Sequence, residues 1–161
     1  MDSMNLCLDV LTTLCSGLML EVGPVDPFTG RAESVTVQRR KLPGVGERLD
    51  TVPLLAICPD ERQPERVPWD SRPSMKRTCV ITLGLVAKGN RDPITAQEQY
   101  PVILSKIANL VAHPRTLRGL IPGYLMGRMR EETNFNRAAY AEGYDYLILK
   151  VELEIIEALT L

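Results

Sequence analysis

The chain has 161 residues, of which 45% are hydrophobic, 24% charged and only 5% aromatic, with a formal net charge of −1. A chain near this length buries about 70% of the surface its unfolded form exposes, enough for one core of Leu, Ile and Val without metals or disulfides. A balance this close to neutral gives no bulk attraction to nucleic acid or anionic lipid, and no run of residues is long and apolar enough to span a membrane as a helix.

The first predicted element is an amphipathic helix over residues 3–21. Met4, Cys7, Leu8, Leu11, Leu14, Cys15 and Leu18 recur at three- and four-residue steps and so share one face. Asp2 or Ser3 is placed to cap its start, and Gly23-Pro24 to stop it. This apolar stretch has no basic flank and is interrupted by Asp9, which argues against an export signal. Turn residues Asp26, Pro27 and Gly30 then lead into a strand at 34–40, with Val35 and Val37 on one face. Pro43-Gly44-Val45-Gly46 reads as a loop. Residues 52–58 follow as a short strand whose lack of alternation predicts burial on both faces.

Residues 59–73 change character. Pro59, Pro64, Pro68 and Pro73 are interleaved with Glu61, Arg62, Glu65, Arg66, Asp70 and Arg72, and the segment holds the only tryptophan, Trp69. Proline at this density prevents a helix or an interior strand. An irregular segment of such length is uncommon in a compact domain and points to function.

From 75 to 88 the pattern returns to strand. Cys79, Ile81, Leu83, Leu85 and Ala87 alternate with Thr78, Val80, Thr82 and Val86, and Gly84 marks a bulge or a close backbone approach. A second helix runs to about residue 112, with Ile103, Ile107, Leu110 and Val111 inward. Thr95 and Glu98 have capping-box spacing for a start at Ala96, whereas Pro101 favours a kink or a start near Tyr100, and both remain open. His113-Pro114 ends it. Residues 124–132 read as an ambiguous, extended segment. Residues 146–157 are the clearest strand: Leu147, Leu149, Val151, Leu153 and Ile155 face one way, Lys150, Glu152 and Glu154 the other.

These elements predict one α+β domain over 1–161. Its core is a single mixed or antiparallel β-sheet of about five strands packed by two helices, with residues 59–75 as an extended Pro-rich arm.

Catalytic chemistry finds little support. The one histidine, His113, stands beside a proline at a predicted helix end, where a turn or dipole role is favoured over a general base. Gly44-Val45-Gly46 lacks the third glycine and the following helix of a nucleotide fingerprint. Glu152 and Glu154 share a strand face as alternating surface charge does. No metal-ligand spacing occurs, so no catalytic residue, metal or cofactor is assigned. The candidate nucleic-acid patches are Arg39-Arg40-Lys41 and the group Arg115, Arg118, Arg128 and Arg130, without the aromatic residues that would stack on bases. Of 19 basic residues 14 are Arg, a bias that protein interfaces and GC-rich genomes share.

The strand Val52-Pro53-Leu54-Leu55-Ala56-Ile57-Cys58-Pro59-Asp60-Glu61 is followed by the strand at 78–88, then Asp92 and a long helix, and finally the closing strand at 146–158. In order and size this pattern resembles the tail terminator proteins of long-tailed bacteriophages and the related tail-completion or neck proteins. That family has no fixed signature residues, and the Pro-rich insertion departs from its compact form. The resemblance implies a virion structural protein, not an enzyme, located in the tail or neck and assembled in the host cytoplasm. It implies a homo-oligomeric ring, usually a hexamer, that caps the tail tube and joins it to the head connector. The implied partners are other copies, the tail tube protein and a connector or neck protein, with no membrane and at most non-specific DNA contact in the ring lumen. The open alternatives are another head–tail neck subunit, a non-viral cytosolic interaction module, and an enzyme with an unrecognised site. Within the arm, Arg62, Arg66, Trp69 and Arg72 are the candidate interface residues, because Trp and Arg are enriched among interface hot spots.

Cys7, Cys15, Cys58 and Cys79 have neither zinc nor redox-motif spacing and fall in apolar patterns, which suits reduced thiols. Thiol titration of the denatured protein is expected to count all four as free, and an oxidised pair in protein purified from cytosol would overturn that reading.

Overall fold

Apolar residues at helical spacing on a chain's first turns need a second surface to bury them, and here that surface is a sheet. The computed structural model describes residues 2–17, 19–22, 31–44, 47, 49, 53–69, 74–88, 105–109, 114–132 and 144–158. Helix α1 (Ser3–Cys15) buries Met4, Cys7, Leu8, Leu11 and Cys15. Each such leucine contributes about 2 kcal/mol by leaving water. The helix is shorter than its apolar pattern predicts. It ends at Cys15, and strand β1 (Met19–Val22) pairs antiparallel with β2 (Arg31–Ser34). Strand pairing gives the backbone from Met19 onward its hydrogen bonds, and the three-residue apolar run Leu18-Met19-Leu20 fits either period. Asp2 stands at the N-cap, but its side chain does not cap; Ser3 hydrogen-bonds Glu157.

The strand expected at 34–40 is divided. Its first part belongs to β2, Val35 turns into the core, and β3 (Thr36–Arg39) pairs in parallel with β4 (Leu54–Pro59). Next come β5 (Val67–Pro68), β6 (Ser74–Lys88), a helical turn α2 (105–109), α3 (Pro114–Leu120), β7 (Tyr124–Glu132) and β8 (Tyr144–Ala158). The fold is α+β. One open mixed sheet of six strands has the order β3-β4-β6-β8-β7, with β5 also paired to β6. Every pairing in it except β3–β4 is antiparallel.

The two faces differ. The inner face carries Leu55 and Ile57, then Cys79, Ile81, Leu83 and Leu85, then Leu149, Val151, Leu153 and Ile155. Against it pack α1, Ile107 of α2, and Leu117 and Ile121. On the outer face Leu54, Ala56, Val80, Thr82 and Val86 are also buried, so β4 is covered on both sides as its unbroken apolar run predicts. Towards β8 and β7 the outer face becomes charged, with Lys150, Glu152, Glu154, Arg128 and Arg130. The β6–β8 ladder passes through Gly84 without a shift of register; the irregularity falls instead in β7, between Tyr124 and Met126.

A third helix replaces the simple stop expected at His113-Pro114. Pro114 is the first residue of α3, where its missing N–H costs nothing and its fixed φ suits the helix. His113 and the alternative starts of the second predicted helix lie outside the described residues. After α3 the chain reverses: Ile121 N donates to Leu117 O at 2.8 Å and Tyr124 N to Ile121 O at 3.2 Å. Gly123 enables the reversal with φ +79° and accepts from Ile156 N at 2.9 Å. A Cβ at Gly123 would run into the carbonyl oxygen of Ile156.

Gly123→Ala is therefore expected to lose more than about 2 kcal/mol, from a left-handed backbone and a backbone clash together. Gly119 lies within α3 with open space where a Cβ would stand, so Gly119→Ala should be neutral or stabilise by up to about 1 kcal/mol. Urea denaturation of both variants checks the contrast.

Candidate subunit interface

Strand β4 stops opposite Ile81, while β6 extends back to Ser74, so the first part of β6 needs another partner on that edge. The Pro-rich segment supplies it. Asp60 N donates to Val80 O at 3.0 Å. The Gln63 side chain then acts as a strand residue would: its Nε2 donates to Val80 O at 2.7 Å, and its Oε1 accepts from Val80 N at 3.0 Å. The same Nε2 reaches Asp60 O at 2.8 Å. Further along, Val67 and Pro68 pair with Lys76 and Met75, and Trp69 N donates to Ser74 O at 3.0 Å. The prolines follow an edge, the one part of a sheet that tolerates a missing donor.

At the end of the inner face the apolar rows give way to an ion cluster. Arg77 is only 16% exposed; its Nη1 lies 2.7 Å from Asp2 Oδ1 and 3.2 Å from Glu157 Oε1, and donates to Ser3 Oγ at 3.1 Å. Arg66 Nε reaches the other Glu157 oxygen at 2.8 Å. A hydrogen bond from Arg77 holds the Asp2 carboxyl below its ordinary range. Burial pushes the Glu157 carboxyl up, but hydrogen bonds from Ser3, Arg66 and Arg77 outweigh it and leave it low. The cluster borders an open cleft of about 390 Å³, lined also by Leu6, Ile121, Pro122 and Ile155. Each charge in it already has a partner, which suits joining elements better than holding a ligand.

The four predicted interface residues fall as follows. Arg62 is exposed, Arg66 is tied to Glu157, and Trp69 is 39% exposed with the Lys76 ammonium 5.9 Å from its ring centroid. Arg72 lies outside the described residues. Among the described residues three other large apolar side chains are exposed that were not singled out from the sequence: Val67, Met126 and Leu120, the last at the end of α3 and away from the outer face. Val67 is the register partner of Lys76, and Met126 that of Glu154, so Val67 lies beside Trp69 and Met126 lies across β6 and β8 from them, towards the same end of the outer face. Lys76 and Glu154 lie 3.9 Å apart between them. Gln63 was also missed, since nothing in its local sequence marks an amide that completes a sheet.

Other candidates are accounted for by local contacts. Gly44 N donates to Glu47 Oε2 at 2.9 Å, and Glu47 N to Gly44 O at 3.1 Å, so Gly44 serves a turn. Glu152 faces Arg130 at 4.0 Å. Arg39 pairs with Asp9 at 2.5 Å, and Arg40 with Glu47. Arg118 belongs to α3 on the inner side of the sheet, while Arg128 and Arg130 stand on the outer face, so these do not form one patch. Among the described residues no three His, Cys, Asp or Glu side chains are grouped to hold a metal ion, and no helix is long and apolar enough to cross a membrane. The four cysteines are free, with Cys7, Cys15 and Cys79 buried and Cys58 partly so. Burial pushes the Cys15 thiol up to about 11. No family model matches the chain, and no curated protein matches it in sequence.

The ion cluster has a pH signature. Asp2 and Glu157 have lowered folded values, so their stabilisation is present above the ordinary 3.8 and 4.5 and is lost as pH falls below them. Arg77→Met should cost about 2 kcal/mol at neutral pH, and the loss should shrink as these carboxylates protonate. Denaturation curves of the variant and the unmodified protein between pH 7 and 3 test this; parallel pH profiles would refute it.

Proposed function

We propose that the chain is a virion structural subunit: a tail terminator whose copies assemble into a ring, usually of six, that caps the tail tube and joins it to the head connector. The observation that carries this reading is that Trp69 and Val67 stand exposed together on the Pro-rich segment, at the same end of the outer face as the exposed Met126 of β7. Among the described residues the sheet also ends in two edges, β3 and β7, without a further strand. Exposed apolar groups at the end of an otherwise charged face, and unpaired sheet edges, support this reading, because assembly would cover them. The order of elements adds support, through its resemblance to the tail terminator and neck proteins. In this reading Arg62, Arg66, Trp69 and Arg72 meet the neighbouring subunit, and the protein is not an enzyme and needs no cofactor.

Mass measurement in solution is the direct test. A closed ring has several times the 18.0 kDa of one chain, alone or after addition of tail tubes. A monomer under both conditions would refute the proposal.

Trp69→Ala separates an interface from a merely structural role. Truncation of an interface tryptophan typically costs about 2 kcal/mol or more at each contact. The variant should keep the monomer's melting temperature while losing assembly into rings or onto tails. A variant with a lowered melting temperature that still assembles would remove Trp69 from the interface.

DNA binding is expected to be weak, to fall steeply with salt, and to show no sequence preference. Filter binding at several salt concentrations checks it. Tight, sequence-selective binding at physiological salt would favour a nucleic-acid-binding function instead.

A further inference from the structure

All residues from 61 to 69 are exposed, so very little buried apolar surface holds this segment to the domain. It is held instead by polar bonds, most of them along the β6 edge and some to β8. They include the Asp60 N–Val80 O bond, the two Gln63–Val80 bonds, the short β5 pairing and the Trp69–Ser74 bonds, joined by ion pairs of Arg66 with Glu157 and of Asp60 with Lys150 and by the Lys76–Trp69 contact. Pro64 and Pro68 have no N–H with which to add to them. Val80, by contrast, is 6% exposed, and its N–H and C=O depend on Asp60 and Gln63 for their partners. Segments with few buried contacts and exposed hydrogen bonds open at low cost, whereas a buried backbone left unpaired demands a replacement.

We propose that residues 60–69 form a releasable strap, clasped by Gln63, and that its exchange partner is the same strap of a second copy of this chain. Every group that receives the strap within one chain is present unchanged on another copy, so exchange loses no bond and needs no new complementarity. The strap follows directly on Pro59, the last residue of β4, and four further residues separate it from Ser74, the first of β6; extended backbone covers about 3.3 Å per residue, so a released loop reaches roughly 20 Å from these anchors. Two copies that exchange straps are linked through β6 of each. The exchange stands apart from the ring: a chain that forms no ring can still swap straps, and a ring can form without swapping.

The register provides the test, because Val67 lies directly opposite Lys76. Opposed positions on antiparallel strands are close enough for a disulfide. In a Cys58→Ser background, one protein carries Val67→Cys and a second carries Lys76→Cys; the two are mixed, incubated and mildly oxidised. Exchange predicts a disulfide-linked heterodimer in the mixture and none in either protein alone. Adding Gln63→Ala to both should speed its appearance by at least roughly tenfold, because both hydrogen bonds of the clasp to Val80 are lost. The double variant Val67→Cys/Lys76→Cys in one chain should close on itself and no longer exchange. If the double variant closes but the mixture yields no interchain product even with Gln63→Ala, the strap does not exchange and the proposal fails. It fails equally if the double variant does not close, since the strap then does not lie on β6 in this register.

Discussion

Fifteen consecutive residues of β6 pair with fifteen of β8, from Ser74 opposite Ala158 to Lys88 opposite Tyr144. The rest of the sheet hangs on this ladder. Its inner rows set Cys79 against Leu153, Ile81 against Val151 and Leu83 against Leu149, all buried. Directly opposed apolar pairs of this kind are the unit from which sheets draw their stability, and they fix register, because a slip of one residue would turn every one of these side chains outward. The remaining edge of β6 receives β4 and then the strap, and the remaining edge of β8 receives β7. Helix α1 lies across β4, β3 and β6 on the inner side.

Where that ladder runs out of apolar residues, charge takes over. Arg77 stands opposite Ile155, and Met75 opposite Glu157, on the face that further along is core. Glu157 accepts from both Arg77 and Arg66, and Arg77 also binds Asp2 at the head of α1. One carboxylate thus links helix, strand and strap at a single corner. That corner adjoins the exposed Trp69 and Val67, so the exposed Pro-rich segment is braced from behind by ion pairs.

Strict alternation made β8 and β6 legible in the sequence, and the absence of alternation in β4 correctly signalled two buried faces. Local pattern failed where tertiary pairing decided the outcome. Leu18, Met19 and Leu20 continue a helical stripe in the sequence, yet residues from Met19 onward pair with Arg31–Ser34. Pro114 fits both the end of one helix and the start of the next, and only the first was read. Residues 124–132 combine Gly127 with arginines and methionines, so their strand character depends on β8 as a template. In the candidate interface, Trp69 was visible because it is chemically unique. Val67 and Met126 were not, because which face they occupy is a property of register between segments distant in the chain. Gln63 was hidden for the same reason: its role exists only once Val80 is beside it.

The long ladder also dictates an order of events during synthesis. Its partners lie 56 positions apart at the Lys88–Tyr144 end and 84 apart at the Ser74–Ala158 end. Contacts so distant in sequence close slowly, because the intervening chain must lose its freedom before they form. As the chain leaves the ribosome, β6 has β4 and the strap on one side and an empty row of donors and acceptors on the other. It stays in that state until β8 emerges. A nascent or truncated chain that stops before residue 144 therefore presents a long apolar edge, and it is this species, not the folded domain, that a chaperone must shield from aggregation.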